Sequence, residues 1–343
     1  MRIKYSNLQI ALYIWPVLIL LALAIGFRPM NVGSDTQSYS LYYENLRWGM
    51  VHHFYEYLFF ILAKIFSLSY IPIGYFFSFI ALTGFILINL SARKITEYLE
   101  VSYDSNLVFL LLIICFSLSV FFYAIEINVI RHGIAILALF LFYFLLINRA
   151  HILLLMLSAL FAVGFHQTSV VYLLVSFLIF FSYRFVFSLV LVLAFLYVTG
   201  LIKKSIFIFS QMTSINIYEK IASYGLNSGY ASGNRLDFTL FTLFCGLLFF
   251  IIGKYLLNAN NRRKYNQLLK IYWILTIPFF FLGFAGYADR YLLPAWVYLS
   301  ILSAVFLQFE VSKSSLAIKI TYLVFLASAI VIYMVAQGIL RLG

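Results

Sequence analysis

Apolar runs about as long as a bilayer is thick recur along this chain, joined by short polar segments. Crossing roughly 30 Å of hydrocarbon takes about 17–25 helical residues, and tight bundles accept fewer. Runs of that kind cover about 8–27, 71–90, 107–124, 132–147, 152–165, 168–182, 185–201, 238–257, 271–285, 291–309 and 316–338. Lipid offers no partners to backbone N–H and C=O groups, so uninterrupted runs of this length are read as helices. Composition closes the soluble alternatives. Of 343 residues, 65% are hydrophobic and 10% charged, against roughly 45–50% and about 25% in soluble domains. A soluble enzyme, a nucleic-acid binder and a disordered chain are thereby excluded. Cys115 and Cys245 both lie in apolar runs, which suggests neither a disulfide framework nor a metal site.

The net charge of +12 is therefore a topological signal rather than an affinity for nucleic acid. One apolar stretch, 54–70, carries Glu56 and Lys64 and follows His52-His53, which suits a helix lying in the interface. With Arg2 and Lys4 on the cytoplasmic side and 54–70 not crossing, most basic residues, Arg262-Arg263-Lys264 among them, fall in cytoplasmic segments. Letting 54–70 cross reverses that bias. The expected fold is all-α: a polytopic integral membrane protein of about eleven transmembrane helices plus an interfacial helix. It forms a single transmembrane domain over 1–343, with outer loops at 28–53 and 203–237. The basic start and Ala22-Leu23-Ala24 resemble a signal peptide, but the run is long enough to span and is read as a retained anchor.

Polar residues gather on the outer side of this topology. They form four clusters: Gly33 to Tyr39, Glu126 to Gly133, Gly164 to Thr168, and Gly286 to Tyr291. Ionisable groups at span ends are costly against lipid and are expected to face water or a cavity. Each cluster has a plainer reading. Arg131 could be an interfacial anchor and Asp289-Arg290 a local ion pair. Asp35 could start a turn or cap a short helix with Thr36, and His166 could be an ordinary polar residue where a span meets water. Tyr39, Tyr42, Tyr43 and Trp48 suit an aromatic belt as well as a sugar platform. Their convergence on one side is what an extracytoplasmic active site would require.

These residues carry a resemblance. Val32-Gly33-Ser34-Asp35-Thr36-x-x-Tyr39 after a first span, then Asn128-x-x-Arg131-x-Gly133-Ile134-Ala135, Phe165-His166-x-Thr168-Ser169 and the late Arg290-Tyr291 resemble, in that order, the EpsG-like family of bacterial polysaccharide polymerases. That family is related to the Wzy O-antigen polymerases. His132 departs from the glutamine common there. An acidic first loop followed by a membrane-parallel helix is also similar to GT-C-type glycosyltransferases, which use polyprenyl-linked donors.

The resemblance implies transfer of a growing glycan from undecaprenyl diphosphate to the sugar of another undecaprenyl-diphosphate-linked unit. The site would face the periplasm or cell exterior at the bacterial inner membrane. Charge developing on the leaving diphosphate calls for fixed cations, and arginine forks match phosphate oxygens. Arg131 and Arg290 are the first choices, with Arg28, Arg47 and Arg235 in reserve. The acceptor hydroxyl calls for a base: Asp35 first, then Glu44, Glu126 and His166. Asp289 would orient Arg290; His132, Tyr39 and Tyr291 would contact substrate, and loop 203–237 would form a mobile cover. The leaving group is already activated, so neither a cofactor nor an obligatory metal is implied. Partners would be the lipid-linked oligosaccharide, the bilayer, and a chain-length regulator and flippase of the same pathway. Three other readings remain open: a flippase or transporter of the same lipid-linked glycan, an O-antigen ligase or related transferase, and a structural subunit.

Overall fold

A computed structural model describes residues 3–51, 55–100, 105–213, 215–223 and 233–311. Every element among them is helical. Two compact units form: Met1–Val170 with the chain from Ser303 onward, and Val171–Leu302.

The first unit opens with α1 (Ile3–Gly26), then α2 (Thr36–Arg47) and α3 (Tyr57–Leu68), short helices of 12 residues each, and the long α4 (Ile73–Leu99). There follow α5 (Ser105–Ser117), α6 (Val120–Tyr123) continued by a π-helical turn (Ala124–Asn128), α7 (Ile130–Ile147) and α8 (Ile152–Phe165). α7 is apolar all round, the pattern of an enclosed helix, and it packs between α4 and α8. The end of α1 meets the start of α4 at Gly26, where a Cβ would collide with Gly74 O and Ser78 Oγ. Small residues permit such close helix approach. Because Gly26 and Gly74 touch, everything from 27 to 73 starts and finishes at the same end of the unit. α3 therefore does not cross: at 1.5 Å per residue it measures only about 18 Å. The stretch expected at 54–70 forms α3 over Tyr57–Leu68.

The second unit holds most of α9 (Ser169–Val175) with a 3₁₀ turn (Ser176–Phe180), α10 (Tyr183–Val198), α11 (Leu201–Thr213), α12 (Ile217–Ala222), α13 (Leu236–Leu256), α14 (Ala259–Leu282), a 3₁₀ turn (Ala288–Tyr291) and α15 (Leu293–Val311) as far as Leu302. Buried Lys270 on α14 donates to Ile179 O (2.6 Å) and Phe181 O (2.9 Å), capping the carbonyl end of the 3₁₀ turn. Much of α13 is exposed and apolar, including Leu240, Phe244 and Ile251. Such a surface belongs in lipid.

Among the described residues, three helices are long and apolar enough to cross a membrane, namely α4, α7 and α13; two bent pairs raise the number to five. The bend is 86° between α5 and Val120–Asn128, and 77° between α10 and α11. The chain is thus a helical membrane protein. The eleven expected runs differ from these spans because several are short helices, the 107–124 run is broken, and 316–338 lies outside the described residues. The expected loop 203–237 carries α11 and α12 over its described part.

Candidate active site

At the end of the first unit where α1 stops and α4 begins, three distant segments meet on one carboxylate. Glu56 stands just before α3 but makes no side-chain bond to its own helix. Its Oε2 accepts from Arg131 Nη1, and its Oε1 lies 2.6 Å from His166 Nδ1. All three side chains are largely buried, with relative exposures of 11%, 19% and 13%. Burial alone would raise the Glu56 carboxyl, but the His166 hydrogen bond and the Arg131 charge outweigh it and lower the group to about 2. An ionised carboxylate only accepts, so the hydrogen on His166 is assigned to Nδ1. Nε2 is then left as a proton acceptor in the neutral ring.

Local sequence places each partner. Val129 N donates to Ala124 O (2.9 Å), a five-residue bond that closes the π turn, and α7 starts afresh at Ile130. Gly133 lets this turn lie against α7, since a Cβ there would strike Ile125 O. Arg131 consequently sits in the first turn of α7. A helix start is electropositive, so the Arg131 cation depends on an outside anion, which Glu56 supplies. His166 is the residue at which α8 stops. Its ring centroid is 4.5 Å from that of buried His132.

An aromatic wall completes the cluster. Arg131 Cζ lies 3.9 Å from the Tyr55 ring centroid and 5.9 Å from those of Tyr39 and Phe59. Arg131 also donates to the Tyr39 hydroxyl. Burial raises the hydroxyls of Tyr39 and Tyr55, against the lowering effect of Arg131. The buried Nε of Arg131 has no hydrogen-bond partner among the described residues.

Of the residues singled out in the sequence, the structure gathers Tyr39, Arg131, His132 and His166. Asp35 stands at the start of α2, where its Oδ1 accepts from Ser34 Oγ (3.0 Å) and its charge reaches Tyr39 and Tyr55. Arg28 is a buried clasp. It donates to Ile25 O (2.8 Å), Thr36 Oγ1 (3.0 Å) and Ile127 O (3.3 Å), and burial lowers it to about 10. Ser34 N donates to Asn128 Oδ1 (2.9 Å), so the first loop is tied twice to the π turn that sets Arg131. Glu126 is buried within that turn, where the charge of Arg28 acts on it. Arg47 instead pairs with Glu44 (3.2 Å) and reaches Ser67 O and Ile71 O, fastening α2 to the α3–α4 link.

Four residues belong to the second unit. Arg235 pairs with Asp237 through both nitrogens (2.9 and 2.5 Å) and covers the Phe238 ring. Arg290 Cζ lies 4.1 Å from the Tyr287 ring centroid. The charge of half-buried Asp289 acts on Arg235, and Tyr291 O accepts from Tyr172 (2.9 Å). Sequence reasoning missed Glu56, Tyr55 and Phe59. The signal available for Glu56 was a carboxylate opening an apolar helix with no cation within one turn of it.

A family model for the EpsG family matches residues 11–341. The chain belongs to the EpsG family. No curated protein and no solved structure matches it. EpsG membership over nearly the whole chain points to a polysaccharide polymerase-type glycosyltransferase in a membrane.

Proposed function

We propose that this EpsG-family protein polymerises lipid-linked oligosaccharide units on the outer face of the bacterial inner membrane. It would transfer a growing glycan from undecaprenyl diphosphate to a sugar hydroxyl of a second undecaprenyl-diphosphate-linked unit. The observation that carries this reading is the Glu56 carboxylate shared between Arg131 and His166.

In the proposed reaction the acceptor hydroxyl gives its proton to His166 Nε2 while its oxygen bonds the anomeric carbon. The bond from that carbon to the diphosphate oxygen breaks, and undecaprenyl diphosphate leaves with the electron pair. Glu56 fixes the tautomer and direction of the ring, as a carboxylate does for histidine in hydrolytic triads. His166 thus stands ahead of Asp35 as the base, and Asp35 would act on the acceptor only as a second candidate. Arg131 would offer its unpartnered Nε–H to a phosphate oxygen as charge develops. His132, Tyr39 and the Tyr55 ring would contact sugar or phosphate, and Arg290 is kept as a separate candidate cation.

A flippase for the same glycan, or a ligase that transfers it elsewhere, is separated by a simple experiment. Purified protein incubated with undecaprenyl diphosphate oligosaccharide alone should build a ladder of longer oligosaccharides without nucleotide. Loss of the gene should leave single repeat units on surface glycan. An absence of elongation in vitro, together with loss of all glycan from the surface, would overturn the reading.

A further inference from the structure

Away from the Glu56 cluster, α4, α7 and α8 enclose a second feature, a cavity of about 530 Å³. Its wall is apolar, formed by residues such as Leu87, Leu141 and Phe161. It opens sideways past Leu90, Leu154 and Leu157, which are 39%, 46% and 54% exposed. The charged lining groups all belong to the late part of α4: Arg93, Lys94 and Glu97. Lys94 pairs with Glu97 (2.6 Å), whereas Arg93 Nε donates to Asn89 (3.2 Å) and forms no ion pair among the described residues. The rim is therefore cationic by one charge.

Depth gives the cavity its meaning. Arg93 follows Ile73 by twenty residues, which is about 30 Å along a helix, the thickness of bilayer hydrocarbon. When the start of α4 stands at one interface, the two cations stand at headgroup level of the other. The cavity then runs back from them, through Leu90 to Leu87, at the depth of lipid chains. α8 is too short to close it, since 14 residues reach only about 21 Å. A wall this apolar holds no site for ordered water, and a soluble anion would gain nothing from it. We propose that this cavity binds an anionic phospholipid, with the phosphate at Arg93 and Lys94 and one acyl chain between α4, α7 and α8. Chain burial differs little between cavity and bilayer, so selectivity would come from the rim, at roughly fivefold per cation.

The test is native mass spectrometry of the full chain in neutral detergent, titrated with phosphatidylglycerol or phosphatidylcholine of identical acyl chains. Wild-type protein should retain phosphatidylglycerol about fivefold better. The double variant Arg93→Gln/Lys94→Gln should lose that preference while still binding both lipids weakly. Leu157→Trp, which fills the cavity from an exposed position, should lower retention of both. Equal retention of the two lipids by wild type overturns the proposal, as would be seen if the apolar run 316–338 occupied the cavity. So does a preference that survives removal of the two cations, or undiminished retention in Leu157→Trp.

Discussion

Arg131 and Arg235 are alike in the sequence, each an arginine just before an apolar run, but their ion pairs differ in kind. Arg131 is held by Glu56, 75 residues away, and that carboxylate is shared with His166, 110 residues from it. Arg235 instead pairs with Asp237, two residues away. Order built from distant segments costs chain entropy and persists only where the fold overdetermines it. Local pairs form wherever two charges fall close in sequence, and exposed ones contribute at most about 1 kcal/mol. The contrast marks the first unit as the place where geometry is specified.

That contrast can be broken by substitution. Glu56→Ala should have the largest effect, because it leaves Arg131 without its anion at a helix start and releases His166. Elongation should fall by more than about 10³-fold, with a stability loss on the order of 3–5 kcal/mol in thermal melts. Glu56→Gln keeps the shape, so folded but inactive protein would assign the loss to charge and orientation rather than folding. Next, His166→Asn should lower kcat by about 10²–10³-fold with little change in melting temperature. A variant retaining wild-type kcat would remove His166 as base. Arg290→Ala should cost about 10–10² in rate and shorten the polymer on gels; wild-type chain length would confine the chemistry to the first unit.

A pH series tests the Glu56 pairing itself. Its carboxyl is lowered from 4.5 to about 2, so its stabilising contribution is complete above about pH 4.5. It is lost as pH falls through about 2. Melting temperature should decline by several degrees across that window in wild type and stay flatter in Glu56→Gln. The smallest effect is expected from Arg235→Ala, less than about threefold in elongation, because that side chain is engaged by Asp237 near the surface. A large loss there would erase the distinction between local and long-range pairs.

Hydropathy made two of the helices legible almost to the residue. The runs at 132–147 and 152–165 became Ile130–Ile147 and Ile152–Phe165. It failed at α14, read as 271–285 but beginning at Ala259. Arg262, Arg263 and Lys264 hide that helix from a scale measuring affinity for lipid, although Asn258 caps it by accepting from Asn261 N (2.9 Å). It also failed at 107–124, because nothing in an apolar run announces the bend that follows α5. For the site, the residue types around Arg131 and His166 could be singled out, and His132 and Tyr39 with them. Glu56 could not, because a carboxylate acquires its role from partners that only the folded chain delivers.

The π turn at Ala124–Asn128 acts on register. One residue beyond the α-helical repeat rotates whatever follows by about 100°. Shortening that turn by a single residue would leave Arg131, His132 and Gly133 in the sequence, in order and equally apolar around. It would aim the guanidinium at a different neighbour. On the proposed function, elongation should depend on a count of residues as much as on their identity, and a one-residue deletion that preserved every motif should still silence it.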